Sequence, residues 1–211
     1  MLDKGEADST FVVDTILEQL KTKGESLFNW TSSCESWVKR LIWLGSVVDD
    51  FPSFTRQSIF DKADEWLLPY IGKIKKLQAL KSVDILQLMK SMISWDELSK
   101  LEKEAPEFYQ TPSGKRVKID YDTSQGPKVS ITLQEMFGEL TSPKLAGKVN
   151  LRFELLSPAN RPIQITSDIG KFWHTSYFDV AKEMRSKYPK HRWPTEPLKE
   201  IAGKSIKREN K

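Results

Sequence analysis

The spacing of the apolar residues changes at Pro106, and that change demands two kinds of architecture from the 211 residues. Before it, apolar side chains recur every three or four positions, which puts them on one face of a helix. After it they first alternate with polar ones, as a strand half-buried in a sheet requires. Val12, Ile16 and Leu20, broadened by Val13 and Leu17, predict a helix over residues 11–20. Trp37, Leu41, Leu44 and Val48 predict a second over 33–48. Trp43, Lys39 and Arg40 fall elsewhere on its circumference, where an aromatic beside two cations suits either base stacking or partial packing. A third helix starts at Thr55 or Ser58, carries Ile59, Ala63 and Trp66, and is bent or stopped by Pro69. Residues 70–80 read as a basic connector, and after Ser82 the next stripe is Ile85, Leu86, Met89 and Ile93, with Met89 and Met92 as core filler. Ser94 with Glu97 three positions on fits a capping box, opening a helix with Leu98, Leu101 and Ala105 that Pro106 stops.

Beyond Pro106, residues 116–121 alternate Val117, Ile119 and Tyr121 with charged neighbours, and residues 128–133 do the same with Val129, Ile131 and Leu133. The polar connection 122–127, with Gly126, predicts a hairpin between them. Leu133, Met136, Phe137 and Leu140 predict a short helix; residues 149–156 and 162–166 predict two more strands, joined by the turn Ser157-Pro-Ala-Asn-Arg-Pro162. A last helix follows Ser176, with Phe178, Ala181, Met184 and Tyr188 inward and Lys182, Arg185 and Lys187 outward. Pro189, Pro194 and Pro197 then impose extended backbone. The expected class is α+β: a helical N-terminal half, then a small antiparallel β-sheet flanked by helices. The expected regions are a helical one over 1–106, an α+β one over 107–197 and a basic flexible tail over 198–211.

Enzymatic chemistry is hard to place on this chain. A phosphate-binding loop needs glycines whose backbone amides converge on a helix start, followed by Lys and a hydroxyl. Gly114-Lys115 lacks both the earlier glycine and the hydroxyl after Lys, so it reads as a turn, and no acidic quartet of the DEAH kind occurs. His174 and His191 belong to no metal-ligand spacing, and the single Cys34 supplies neither a disulfide nor a zinc site. Glu97, Glu102 and Glu104 read as solvated helix-face charges. The expectation is a chain that is non-catalytic by itself, with no metal and no cofactor. No run of about 18 apolar residues exists to span a bilayer, and the N-terminal stretch lacks the pattern of a secretory signal. A cytoplasmic protein is expected.

Charge points toward polyanions instead. Residues 161–211 hold 12 Lys and Arg against 6 Asp and Glu, a net +6 within a chain of net +4, so residues 1–160 carry −2. The surplus concentrates in Arg185-Ser-Lys-Tyr-Pro-Lys-His-Arg-Trp193, where cations that can neutralise phosphates interleave with aromatic faces that can stack on bases. The candidate nucleic-acid-binding residues are Arg161, Lys182, Arg185, Lys187, Tyr188, Lys190, His191, Arg192 and Trp193. The same residues also allow another reading, in which Tyr188 and Trp193 clamp the proline-rich segment and the cations are its wet side.

Seven blocks, in order, carry a resemblance: VKRLIWL (Val38 to Leu44), DEWLLPYIGKIKKLQAL (Asp64 to Leu80), DILQLMKSMISWDELSKLEKEAP (Asp84 to Pro106), TPSGKRVKIDYD (Thr111 to Asp122), LQEMFG (Leu133 to Gly138), LLSPANRPIQITSDIGKFW (Leu155 to Trp173) and YPKHRWP (Tyr188 to Pro194). Together they resemble the C-terminal region of the HrpB family of bacterial ATP-dependent RNA helicases, a DEAH-type group. Arg192 departs from that pattern, standing where a proline is expected, and so does the lysine-rich tail. In the family these blocks follow two RecA-like motor domains, whereas here they begin almost at Met1. The resemblance therefore implies either a piece of such a helicase or a separate protein that keeps its accessory end. The implied partners are single-stranded RNA and helicase motor domains, in cis or in trans, with no membrane. A protein–protein interaction domain that binds no nucleic acid is the alternative.

Overall fold

The computed structural model of the chain describes residues 4–71, 77–122 and 124–203. The chain divides into two compact units, Met1–Ala105 and Pro106–Lys211.

The first unit is helical. Helix α1 runs over Lys4–Lys23 and buries Ile16 and Leu20; the side chain of Val12 lies outside the described residues. Helix α2, Ser32–Val47, is capped by the Thr31 hydroxyl, which accepts from the Cys34 amide at 3.2 Å. Trp37, Leu41 and Leu44 face the core, but so do Trp43 and Arg40, at 9% and 3% exposure. Neither is available to a base. The physical reason is that α2 packs against both α6 (Ile85–Lys90) and α7 (Trp95–Glu104), so its buried face is wider than one stripe.

The expected third helix is broken in two, α3, Arg56–Asp61, and α4, Ala63–Trp66, and a further short helix, α5, Leu68–Ile71, follows around Pro69. Thr55 and Ser58 do form a capping box. Helix α3 ends because the buried Trp66 indole donates to the Ile59 carbonyl at 2.9 Å, an acceptor that a continuing helix would need for its own ladder. Pro69 lies in the first turn of α5, where its missing N–H removes no helical bond. Residues 72–76 of the expected connector lie outside the described residues. Helix α6 is capped by Asp84 rather than begun at Ser82. Helix α7 opens on the predicted capping box, with Glu97 N–H on Ser94 Oγ at 3.2 Å and Ser94 N–H on Glu97 Oε2 at 2.6 Å.

Glu35, in the first turn of α2, gathers Arg56 at 2.6 Å, the Trp30 indole N–H at 2.9 Å and Lys39 at 3.3 Å. The hydrogen bond from Arg56 is the main cause that holds its carboxyl down to about 2, against an ordinary 4.5. A folded-state value below the unfolded one stabilises above the unfolded value and ceases to do so as pH falls through the folded one. Glu35→Gln is therefore expected to cost about 1 kcal/mol at neutral pH, a modest figure because the group is one-third exposed. The gap to the parent chain should close between pH 4.5 and about 2. Thermal melts across that range check this, and a gap constant with pH would refute it.

The second unit has the expected α+β composition with a different strand pairing. Strand β1, Phe108–Gln110, missed by the alternation, pairs antiparallel with β2, Arg116–Lys118. The predicted hairpin reduces to one antiparallel bridge, Asp120 with Lys128, with N–H to O distances of 2.8 and 2.9 Å. Strand β3, Lys128–Thr132, instead pairs in parallel with β6, Arg152–Leu156. Strand β7, Pro162–Thr166, completes the β3-β6-β7 sheet antiparallel to β6. The class stands as α+β, but the sheet is mixed rather than wholly antiparallel. The chain between β3 and β6 is long enough to return for a parallel crossover. It holds a 3-10 turn at Leu133–Met136, where an α-helix was expected, and a small ribbon of β4, Lys144–Leu145, and β5, Val149–Asn150. Phe153 and Leu155 of the central strand are fully buried.

Two helices follow. Helix α8, Ile169–His174, is capped by Asp168. Helix α9, Tyr177–Lys187, turns Tyr177, Ala181 and Met184 inward, at i, i+4 and i+7, and leaves Phe178 52% exposed. That corrects the expectation that Phe178 faces the core. The Tyr177 ring packs edge-on against Trp173, with centroids 5.3 Å apart, and sets the phase of the helix. An extended strap then crosses the unit. Pro194 O accepts from the Tyr177 hydroxyl at 2.8 Å, Pro197 O from the Gly138 amide at 3.1 Å, and the Gly203 amide donates to Gln134 O at 3.0 Å. The last of these bonds anchors the expected tail at Gly203; residues 204–211 lie outside the described residues.

Candidate nucleic-acid interface

Most of the nine candidate residues either face solvent or serve the fold, and Arg185 does both. Lys182, Arg185 and Lys187 project from α9 into solvent, as the helical period requires, and Lys190 and Arg161 are exposed in the following segment and in the turn before β7. Lys187 pairs with Glu183 one turn back at 2.6 Å, with both side chains about 60% exposed, so the pair is weak. Others serve the fold. Trp193 is 5% exposed and its indole N–H donates to Tyr188 O at 3.0 Å. Arg185, although exposed, donates to Trp193 O at 2.8 Å. Arg192 lies 3.2 Å from Glu200, with its guanidinium 5.4 Å from the Phe137 ring centroid. His191 is half-buried, edge-on to Tyr188. Among the candidates the aromatic available to a ligand is Tyr188, whose backbone carbonyl Trp193 holds.

Arg161, Lys187 and Tyr188 come together around one groove of about 340 Å³. Its apolar wall is Ile163 of β7 with Val180 and Met184 of α9. The Ser157–Pro162 turn forms its end. Asn160 adopts φ +57°, which a short polar side chain tolerates, and Ser157 binds Arg161 twice, through Ser157 N–H to Arg161 O at 2.8 Å and Arg161 N–H to Ser157 Oγ at 3.1 Å. The Tyr188 hydroxyl reaches Ser157 Oγ at 3.4 Å. Ile163 and Val180 were not singled out from the sequence, because period alone labels them ordinary packing residues, and Ser157 was read only as the start of a turn. Lys182 and Lys190 do not line the groove.

Elsewhere in this unit burial pushes the Tyr177 phenol up, and burial together with a hydrogen bond to Glu139 does the same to Tyr109, so both remain neutral structural donors. Among the described residues no group of three or more His, Cys, Asp or Glu side chains is placed to hold a metal ion. No described helix is long and apolar enough to cross a membrane.

A helical unit is followed in the chain by a small mixed sheet, a basic helix and a proline-rich strap, and the comparisons place a chain of this kind in a helicase family. The family described as ATP-dependent helicase C-terminal (HrpB_C) matches residues 66–197, and the chain belongs to it. It is 40% identical over 187 residues to the ATP-dependent RNA helicase HrpB of Escherichia coli (strain K12), an alignment that covers 86% of this chain and 23% of the relative. Crystal structures of the E. coli protein are also similar. One, described as a DExH-box NTPase, matches with a TM-score of 0.80 at 39% identity over 88% of this chain. The other, described as a DEAH/RHA helicase, matches with a TM-score of 0.68 at 38% identity over 84% of this chain. In each case this chain spans 23% of the solved chain. The resemblance read from the seven blocks is thus confirmed.

Proposed function

We propose that the chain is a non-catalytic accessory module of an HrpB-like ATP-dependent RNA helicase, acting in the cytoplasm and adding contacts to single-stranded RNA beside a motor supplied in cis or in trans. The observation that carries this is the meeting of Arg161, Lys187 and Tyr188 around one groove, on a unit where Lys182 and Lys190 are also exposed. Cations gather phosphates, and an aromatic among them favours unpaired bases. Docking on the motor is a second role.

Fluorescence anisotropy of a labelled single-stranded RNA, with a duplex control and a salt series, tests the reading. Each phosphate contact contributes about 0.7 to the slope of log affinity against log salt for single strands. The joint change of Lys182, Lys187 and Lys190 to Gln is expected to lower that slope by about 2. A parent chain with no affinity for RNA at low salt would overturn the RNA role and leave docking as the function.

A further inference from the structure

We infer that the groove between the Ser157–Pro162 turn and α9 seats one nucleotide of single-stranded RNA, its base against the Tyr188 ring and its phosphate toward Arg161 and Lys187. This rests on the RNA-binding reading of the module and assigns it a base-holding site. The groove's volume, about 340 Å³, lies at the small end of the ~300–1,000 Å³ of ligand sites, room for a nucleotide and not for a duplex.

The lining fits the parts of a nucleotide. Ile163, Val180 and Met184 offer a base an apolar flank. Tyr188 is fixed before any ligand arrives: its hydroxyl reaches Ser157 and its carbonyl accepts from both the Trp193 indole and the His191 amide, the latter at 3.1 Å. A ring held this way loses little freedom on stacking, so more of the contact appears as affinity. Arg161 is placed by its two bonds to Ser157, which keep the cation-bearing turn at the groove's end. The Lys187–Glu183 pair is solvent-exposed, so a phosphate competes for Lys187 at little cost and leaves the Glu183 carboxylate as an acceptor for a base N–H. A duplex is excluded because its bases are already stacked and paired.

The test separates stacking from charge. Full-length chain carrying Tyr188→Ala is expected to bind single-stranded RNA about tenfold more weakly with an unchanged salt slope, because base stacking is worth about 1–3 kcal/mol. Tyr188→Phe, which keeps the ring and loses only the long hydroxyl contact to Ser157, should bind much closer to the parent than Tyr188→Ala does. Arg161→Gln with Lys187→Gln should lower the slope by about 1.4, two contacts at ~0.7 each. Ultraviolet crosslinking of a 4-thiouridine-containing RNA to the unmodified chain, with the adduct mapped by mass spectrometry, needs no variant to fold. It should label the peptide containing Tyr188. Parent-like binding by Tyr188→Ala, or adducts confined to other segments, would overturn the groove while RNA binding itself survived. Failure of the parent chain to bind RNA would overturn both.

Discussion

Trp193→Ala is expected to destabilise the second unit by about 3–4 kcal/mol, the usual cost of removing a large aromatic from a close-packed site. Trp193 is 5% exposed, and its indole N–H is the donor to Tyr188 O. Its own carbonyl accepts from Arg185, so truncation leaves a void at the point where the strap turns back onto α9. Protection of the Gly138 and Gly203 amides, which hold the strap at either side, should fall with it. Urea titration and hydrogen exchange read the two effects separately. Trp193→Phe, which keeps most of the volume and loses the N–H, should recover about half the deficit. The opposite result, a stable Trp193→Ala chain that binds RNA poorly, would make Trp193 the stacking residue and Tyr188 its support.

Arg40→Leu should cost the first unit about 2–3 kcal/mol. Arg40 Nε–H donates to Ala105 O at 2.6 Å, and Ala105, at the C-cap of α7, is fully buried. The substitution leaves that carbonyl without its donor and away from water, which costs the whole desolvation penalty of the group rather than the small net worth of a hydrogen bond. The ion pair to Glu102, at 2.7 Å, adds less. Glu102 is 53% exposed and regains water when the partner is lost, which keeps the total below the 3–5 kcal/mol typical of breaking a wholly buried pair. Glu102→Gln should accordingly cost under about 1 kcal/mol. Equal losses in the two variants, measured by urea titration, would refute this ordering and make the ion pair the main contribution.

How much of this was legible depended on whether a signal was local. The Ser94–Glu97 capping box and the outward cations of α9 are short-range features, and they hold. The break after α3 was not readable, because it depends on where the Trp66 indole finds an acceptor once packed. The parallel pairing of β3 was equally hidden. Alternation reports that one face of a strand is buried and is silent on which strand lies beside it. Tyr177 and Phe178 are adjacent aromatics, so the phase of α9 turned on its first residue and not on its composition.

The site divides the same way. Arg161, Lys187 and Tyr188 were found as charge and aromaticity, but their meeting in one groove depends on β7 and α9 lying close, which no spacing encodes. Trp193 read equally well as a ligand-facing aromatic or as a clamp on the proline-rich segment, because nothing in such a segment shows which face is covered; its burial selects the clamp. The seven sequence blocks carried the family where residue-by-residue reading did not.

The parallel register of β3 and β6 also orders events during synthesis. Lys128 faces Arg152, so β3 leaves the ribosome about 24 residues before its neighbour exists. At roughly 5–20 residues per second that interval lasts about 1–5 s, during which Val129 and Ile131 have no strand to cover them. Strands β6 and β7, joined by the short Ser157–Pro162 turn, pair as soon as both are made. A nascent chain stalled between these points would present β3 as an open edge, the form in which a chaperone would meet it.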